Sequence, residues 1–241
     1  MEETYNTEAI ILDRIAFREA DLKLVVFSQD KGKLELVARG ARKLKSRLAA
    51  HIEPLTLSKL MVIRSRNEYD LLGTSWGNDF FSSIKDDLGR LTQAGRALKL
   101  VNNLSRPGEE EGEKVFFLLK SFLDFLKKEK EADLDLLYGF FALKLLTLIG
   151  FAPNLQTCVS CDIKAERGGN FFDLGQGGII CKKCCLQEKE SVLKVSDDCL
   201  KVLKFSLGND FGKLSNLKIN KELNKEISEK ISSFLKYNFY C

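Results

Sequence analysis

The chain has 241 residues, of which 44% are apolar and 30% charged, with 3 prolines and a formal net charge of +4. That is chain enough for a real hydrophobic core in one large domain or two small ones, and the composition excludes a disordered or collagen-like polymer. A balance so near neutral excludes a globally basic nucleic-acid carrier, so any affinity for phosphate polymers must come from local clustering.

The opening Met1-Glu2-Glu3 carries no basic leader, so no signal peptide is expected. The 7 cysteines are odd in number and clustered, which fits reduced thiols in a cytoplasm better than a disulfide framework. From the N-terminus, TEAIILDRIAF, ADLKLVVFSQDKG, KLELVARGA, PLTLSKLMVIRS and YDLLGTSW read as five strands. Each is rich in β-branched or aromatic residues, and charged turns such as Gln29-Asp30-Lys31-Gly32 separate them. SRLAAHIEP, between the third and fourth runs, has room for one short helix before Pro54. Five strands with a helix in that place is the layout of an OB-fold, a small closed Greek-key barrel.

Near Gly77 to Asp79 the apolar period changes from two to three and four. Phe80, Phe81, Ile84, Leu88, Leu91, Ala94, Leu98 and Val101 predict one amphipathic helix that stops before Pro107-Gly108. Val115 to Leu126 repeats the stripe, with Lys127 and Lys128 suiting the C-terminal end of the dipole. Leu134 to Ile149 is apolar on nearly every face and is predicted to be the most buried helix. A membrane span there is disfavoured, because Lys144 at its centre would cost about 3 kcal/mol on insertion scales. Ser196-Asp197-Asp198 reads as a helix cap before Leu200, Leu203 and Leu207, and a last helix carries Leu223, Ile227, Ile231, Phe234 and Leu235.

Cys158-x-x-Cys161 and Cys181-x-x-Cys184 are two knuckles separated by 19 residues. Each places two thiolates within reach of one ion, and the pair falls in the spacing window of a tetrahedral zinc site. Gly168-Gly169 and Gly177-Gly178 permit the tight turns of a zinc ribbon, and Lys182 and Lys183 are expected to offset thiolate charge. Reduced buried cysteines and a redox pair are the competing readings, and Cys185 is an alternative to Cys184. Four thiolates would close the coordination shell, and the single histidine, His51, lies far off in the sequence. The expected cofactor is therefore one structural Zn²⁺.

The other concentrated feature is basic. From Lys31 to Arg66 ten basic residues stand against two acids, a local +8: Lys31, Lys33, Arg39, Arg42, Lys43, Lys45, Arg47, Lys59, Arg64 and Arg66 against Glu35 and Glu53. A basic run at a strand tip suits a phosphate backbone, and neutralising about six phosphates of a single strand gives a log–log salt slope of about −4. The strand aromatics Tyr5, Phe17, Phe27, Tyr69 and Trp76 are mostly assigned to the core, so binding should be blind to sequence. Gly208 to Leu214 resembles a phosphate-binding loop, but it is one residue short and ends in leucine where a hydroxyl belongs. No dinucleotide fingerprint, nucleophile elbow or histidine pair is present, so no enzymatic activity is expected. A zinc-ribbon adaptor that binds only proteins is the main rival reading, and a metal-dependent nuclease the second.

Several stretches in order resemble the RecO family of bacterial DNA repair and recombination proteins. TEAIILDRIAFREADLKLVVFSQDKGKLELVARGARKLKSRLAAHIEP is similar to the family's opening strands, its A-R-G-A-R run and its K-S before a proline. FFALKLLTLIGFAPNLQTCVSCD and GGIICKKC are similar to its buried helix, its L-G-x-x-P turn and its two C-x-x-C knuckles. The likeness runs to about Cys184, and Asp162 stands where glycine often follows the second cysteine. The resemblance implies an α+β multidomain fold: an N-terminal OB-fold β-barrel over residues 1–78, then an all-α domain over 79–241 with a four-cysteine zinc ribbon inserted at about 156–187. It implies binding of single- and double-stranded DNA, annealing of complementary strands, and help in loading RecA on strands coated by single-strand-binding protein. The implied partners are RecR, in some members RecF, and the tail of single-strand-binding protein. The implied location is the cytoplasm, at the nucleoid, with no membrane association.

Overall fold

Five runs rich in β-branched and aromatic residues pair into a closed barrel. In the computed structural model, which describes residues 3–46, 48–65, 69–78, 81–108, 111–129, 133–185 and 191–239, these are β1 (Thr4–Phe17), β2 (Asp21–Ser28), β3 (Gly32–Ala38), β4 (Leu57–Ile63) and β5 (Asp70–Asn78). Their order is β1-β2-β3-β5-β4, closed by a parallel β3–β5 pairing and an antiparallel β1–β4 pairing. This is the five-strand arrangement of an OB-fold. β1 closes the barrel by serving two neighbours, pairing with β4 through Thr4–Ile10 and with β2 through Ala9–Phe17. The bend this requires coincides with a register shift between Ile11 and Asp13. The interior is filled by Ala9, Ile11, Leu24, Val26, Leu36, Ile52, Leu60, Val62 and Leu72. The short helix expected before Pro54 is a single 3₁₀ turn, Ala49–His51.

The chain divides into two compact units, Met1–Glu129 and Lys130–Cys241. Strand gives way to helix just past Asn78, but the first unit continues, because α2 (Leu88–Leu104) lies against β1 and α3 (Gly112–Lys128) against β2 and β3. Gly112 allows the closest approach: a Cβ there would stand 3.0 Å from the Cα of Gly32. The single helix expected from Phe81 to Val101 is in fact two, α1 (Ser82–Lys85) and α2. Asp87 breaks it by turning into extended backbone and accepting the amide of Arg90 as an N-cap. Leu88 is 81% exposed and Leu91 is exposed too, so both leave the predicted stripe, which is carried instead by Ala94, Ala97, Leu98 and Val101. Phe80 lies outside the described residues. On α3 the expected stripe is buried, Val115, Phe116, Leu119, Phe122, Leu123 and Leu126.

In the second unit α4 (Leu134–Leu148) is buried from Leu136 to Leu143, as its uniform hydropathy predicts. Lys144 sits half-buried with its amine donating to the carbonyl of Leu207 at 3.3 Å, and burial pushes its pKa down. No helix among the described residues is long and apolar enough to cross a membrane. β6 (Asn170–Asp173), β7 (Gly178–Cys181) and β8 (Val192–Val195) form a three-stranded antiparallel sheet ordered β7-β6-β8. α5 (Asp197–Gly208) opens on Ser196, whose hydroxyl accepts the Cys199 amide at 3.1 Å, as the cap motif predicts. The segment that resembled a phosphate loop runs from Gly208, the last residue of α5, into α6 (Phe211–Ser215), which Asp210 caps. α7 (Lys221–Phe239) closes the unit by packing on α4 and α5.

Candidate nucleic-acid interface and metal centre

The chain leaving β3 folds at once into two successive turns, with Lys43 N donating to Gly40 O and Ser46 N to Lys43 O. Gly40 holds a left-handed φ of +66° and donates its amide to Asp21 Oδ1 at 2.8 Å. Arg42 then ties this loop to the β1–β2 turn. Its backbone amide donates to Ala20 O, and its guanidinium donates to the carbonyls of Arg18 at 3.3 Å and Glu19 at 3.0 Å. The result is a folded platform from which Arg39, Lys43 and Lys45 project into solvent, with Leu44 fully exposed between the two lysines. None of these three cations has an acidic partner among the described residues, and Arg47 lies outside them.

An aromatic pair stands at the same end of the barrel. Phe17 and Tyr69 meet edge to face at 5.9 Å, with the Arg18 guanidinium 5.0 Å from the Phe17 centroid and the Lys23 amine 4.3 Å from the Tyr69 centroid. Lys23 also pairs with Glu35 at 2.8 Å, and that hydrogen bond raises its pKa. The β1–β2 turn and the approach to β5 are where OB-folds receive oligonucleotides. Arg18 and Lys23 escaped the sequence reading because each stands near an acid in sequence. Only the strand pairing of Lys23 with Val37, next to Leu36 and Asp70, brings them to Tyr69.

The remaining cations lie elsewhere. Lys33 is separated from Arg39 by six residues of strand, about 20 Å. Its amine is held by the carbonyls of Asn102 at 2.5 Å and Ser105 at 3.3 Å, at the C-terminal end of α2. Lys31 is exposed in the β2–β3 turn with its amine 5.4 Å from the Tyr5 ring. Arg64 pairs with Glu3 at 3.1 Å in an exposed ion pair of little worth. Lys59 projects from the outer face of β4, directly across from Trp76 on β5. Arg66 lies outside the described residues. The basic residues are thus spread along the barrel, not gathered into one compact patch of +8. The aromatic assignment also needs correcting: Phe27 is core, but Trp76 is 59% exposed, because β5 places it on the outward side of the pleat.

In the second unit the sulfurs of Cys158, Cys161, Cys181 and Cys184 all lie within 4.8 Å of one another, with Cys161 and Cys181 at 3.9 Å. Four thiolates about 2.3 Å from one tetrahedral ion stand about 3.8 Å apart, so the cluster can hold a metal ion. Cys184 completes it and Cys185 does not; both amides donate to Cys181 O, which winds the knuckle so that only Cys184 turns inward. Asp162 takes the place of the usual glycine at φ +57°, a left-handed conformation that aspartate tolerates. Gly178 is needed for packing, since a Cβ there would stand 2.6 Å from Val159 Cγ1 and 2.7 Å from Asn154 O.

The thiols differ sharply. Burial pushes Cys158 up, but amide donors at Cys181, Ser160 and Cys161 outweigh it and bring the thiol down to about 6. Hydrogen bonds with the Cys161 and Cys181 thiols push Cys184 up to about 12. Four thiolates at this spacing repel one another and need a cation among them. Cys199, on the apolar stripe of α5, is buried, and burial holds its thiol up at about 12, protonated and inert.

Two family models match the chain: Recombination protein O N terminal over residues 1–74 and Recombination protein O C terminal over residues 85–240. A DNA repair protein RecO from Desulforamulus reducens is 33% identical over 233 residues, covering 97% of this chain and 89% of the relative. One from Alkaliphilus metalliredigens is 31% identical over 214 residues, covering 89% and 85%. One from Symbiobacterium thermophilum is 31% identical over 233 residues, covering 96% and 90%.

Proposed function

The chain belongs to the recombination protein O family of DNA repair proteins, and from that premise we propose that it binds single- and double-stranded DNA through the barrel and anneals complementary strands without catalysing any covalent step. In this role it helps load RecA on strands coated by single-strand-binding protein, working in the cytoplasm at the nucleoid. Its partners are RecR, with RecF in some settings, and the tail of single-strand-binding protein. The cysteine cluster holds one Zn²⁺ as a structural staple, its shell closed by Cys158, Cys161, Cys181 and Cys184.

The observation that carries the reading is the folded loop after β3. A small closed barrel presents Arg39, Lys43 and Lys45 with no acidic partner among the described residues, beside a half-buried aromatic pair at the end of the fold where OB domains receive strands. Annealing is downhill and needs no nucleotide. Its barrier includes repulsion between two phosphate backbones, which a cationic face lowers by holding one strand neutralised while the other arrives. Arg39, Arg42, Lys43 and Lys45 form the principal contact, Lys31, Lys59 and Arg64 the flanks, and Arg47 and Arg66 extend the same run in sequence. Lys33, with its amine already engaged, serves the contact between barrel and α2 before it serves DNA.

The test is annealing of two complementary oligonucleotides across a salt series, without ATP. Annealing that accelerates at low salt, with both strands intact, supports the reading. Binding to neither strand would favour a protein-only adaptor, and strand cleavage would favour a nuclease.

A further inference from the structure

Annealing requires two strands, and the loop after β3 accounts for one. A second cationic surface lies in the other compact unit, on the cysteine ribbon. Lys164, Arg167, Lys182 and Lys183 line a cleft of about 440 Å³ next to Cys181. They come from three different segments: the chain just past the first knuckle, the loop that follows it, and the second knuckle. All four are exposed, and none has an ion-pair partner among the described residues. Glu166 is the one carboxylate in the lining. A divalent ion on four thiolates would leave the knuckles with two negative charges, and the cleft sets four cations beside them. The stem of Lys182 lies beside Gly169, with Cβ and Cδ 3.6 and 3.8 Å from where a side chain on Gly169 would begin.

We propose that this ribbon cleft is a second phosphate-binding site, which takes the sugar–phosphate backbone of a second DNA strand while the barrel holds the first. The proposal rests on the DNA-annealing reading above. The donors favour a polymer over a free phosphate. A terminal phosphate is commonly chelated by backbone amides at a glycine turn, but the Gly168 amide is already taken, donating to both carboxylate oxygens of Asp197 at 3.1 Å. The Asn170 side chain is likewise committed to the carbonyl of Glu166. What dominates the lining is side-chain charge, three point-like ammonium groups and one guanidinium fork, which grips diester groups in passing along a strand and reads no base.

The test uses the full, metal-loaded chain and two oligothymidylates that cannot pair with each other, one carrying a fluorescence donor and the other an acceptor. The wild-type protein, saturated with the first strand, is expected to capture the second and give energy transfer. The Lys164→Glu/Arg167→Glu variant should bind the first strand within about twofold of wild type. It should lose roughly tenfold in affinity for the second, with a salt slope for that step shallower by about 1.4, two phosphate contacts' worth. Metal content of one ion per chain shows that the ribbon is intact; should the pair lose metal, Arg167→Glu alone, six residues from the nearest cysteine, carries the same test with half the slope change. Millimolar inorganic phosphate should leave the energy transfer unchanged beyond its ionic strength, and its displacement of the second strand would overturn the polymer assignment. Undiminished capture by the charge-reversed ribbon, or a wild-type protein that binds one strand and never a second, would overturn the proposal while leaving the barrel reading in place. A wild-type protein that binds no strand at all removes both.

Discussion

Replacing Arg39, Lys43 and Lys45 together by alanine separates phosphate contact from every structural role in the barrel. All three side chains are exposed and lack an acidic partner among the described residues, so the substitutions should leave stability within about 0.5 kcal/mol. Each phosphate neutralised on a single strand contributes about 0.7 to the log–log salt slope. Three lost contacts flatten a slope of about −4 to about −1.9. Between 50 and 200 mM salt the wild-type affinity should then fall by roughly 250-fold, and that of the variant by roughly 14-fold. Fluorescence anisotropy of a labelled oligothymidylate across a salt titration reads both. The contrast is Lys33→Met. It removes a cation from the same stretch of sequence, but one whose amine satisfies two carbonyls at the end of α2. It should keep the wild-type slope and lose about 1–3 kcal/mol of stability in the first unit. A triple variant with an unchanged slope, or a Lys33 variant that flattens it as much per residue, would refute the division between contact and structural cations.

The sole tryptophan, Trp76, lies exposed across from Lys59, so its emission should be quenched when oligothymidylate binds, and Trp76→Ala should lose about 1–3 kcal/mol of binding free energy; emission unmoved at saturation counts against a base on that face. Metal analysis should give one zinc per chain in the wild type and in Cys185→Ser, and less than one in Cys184→Ser, because only Cys184 stands in the sulfur cluster; equal loss in the two variants would contradict the geometry. Gly178→Ala should unfold the ribbon and release the metal, since its Cβ would meet Asn154 O at 2.7 Å, while the barrel still binds DNA. Hydrogen bonds with the Cys161 and Cys181 thiols push Cys184 up to about 12, so protons compete with the ion for that sulfur throughout the neutral range. Zinc affinity against a competing chelator should therefore weaken steadily as pH falls from about 8 to about 5, and a flat profile would be incompatible with thiolate ligation.

The barrel was legible because its strands are rich in β-branched and aromatic residues, are marked off by charged turns and lie close in sequence, so five runs and a short break carry most of the topology. The closing parallel contact of Leu36 with Asp70 was not, since two hydrogen-bonded partners in such a pairing leave no local mark. α3 was legible from its apolar period and α4 from being apolar on nearly every face. The break at Asp87 was not, because Leu88 and Leu91 continue the apolar spacing although the backbone has been redirected by one side chain capping one amide. The metal cluster could be read from spacing alone, since two C-x-x-C knuckles have few ways to fold other than around one centre. The choice of Cys184 over Cys185 required the knuckle's own hydrogen bonds.

By itself the sequence determined the local rules: which segments alternate, which spiral, which four sulfurs converge, and that positive charge is concentrated between Lys31 and Arg66. Only the tertiary structure decided what each charge faces. Lys33 and Lys43 are both cations in one basic run, yet one closes the end of a helix and the other stands in water. Trp76 is outward because of the parity of its strand, and the stem of Lys182 lies beside Gly169 from another segment. The reason is the range of the forces. Backbone propensity and apolar period act over a few neighbours and can be read along the chain. A charge or an aromatic ring takes its role from groups brought beside it by pairings tens of residues apart.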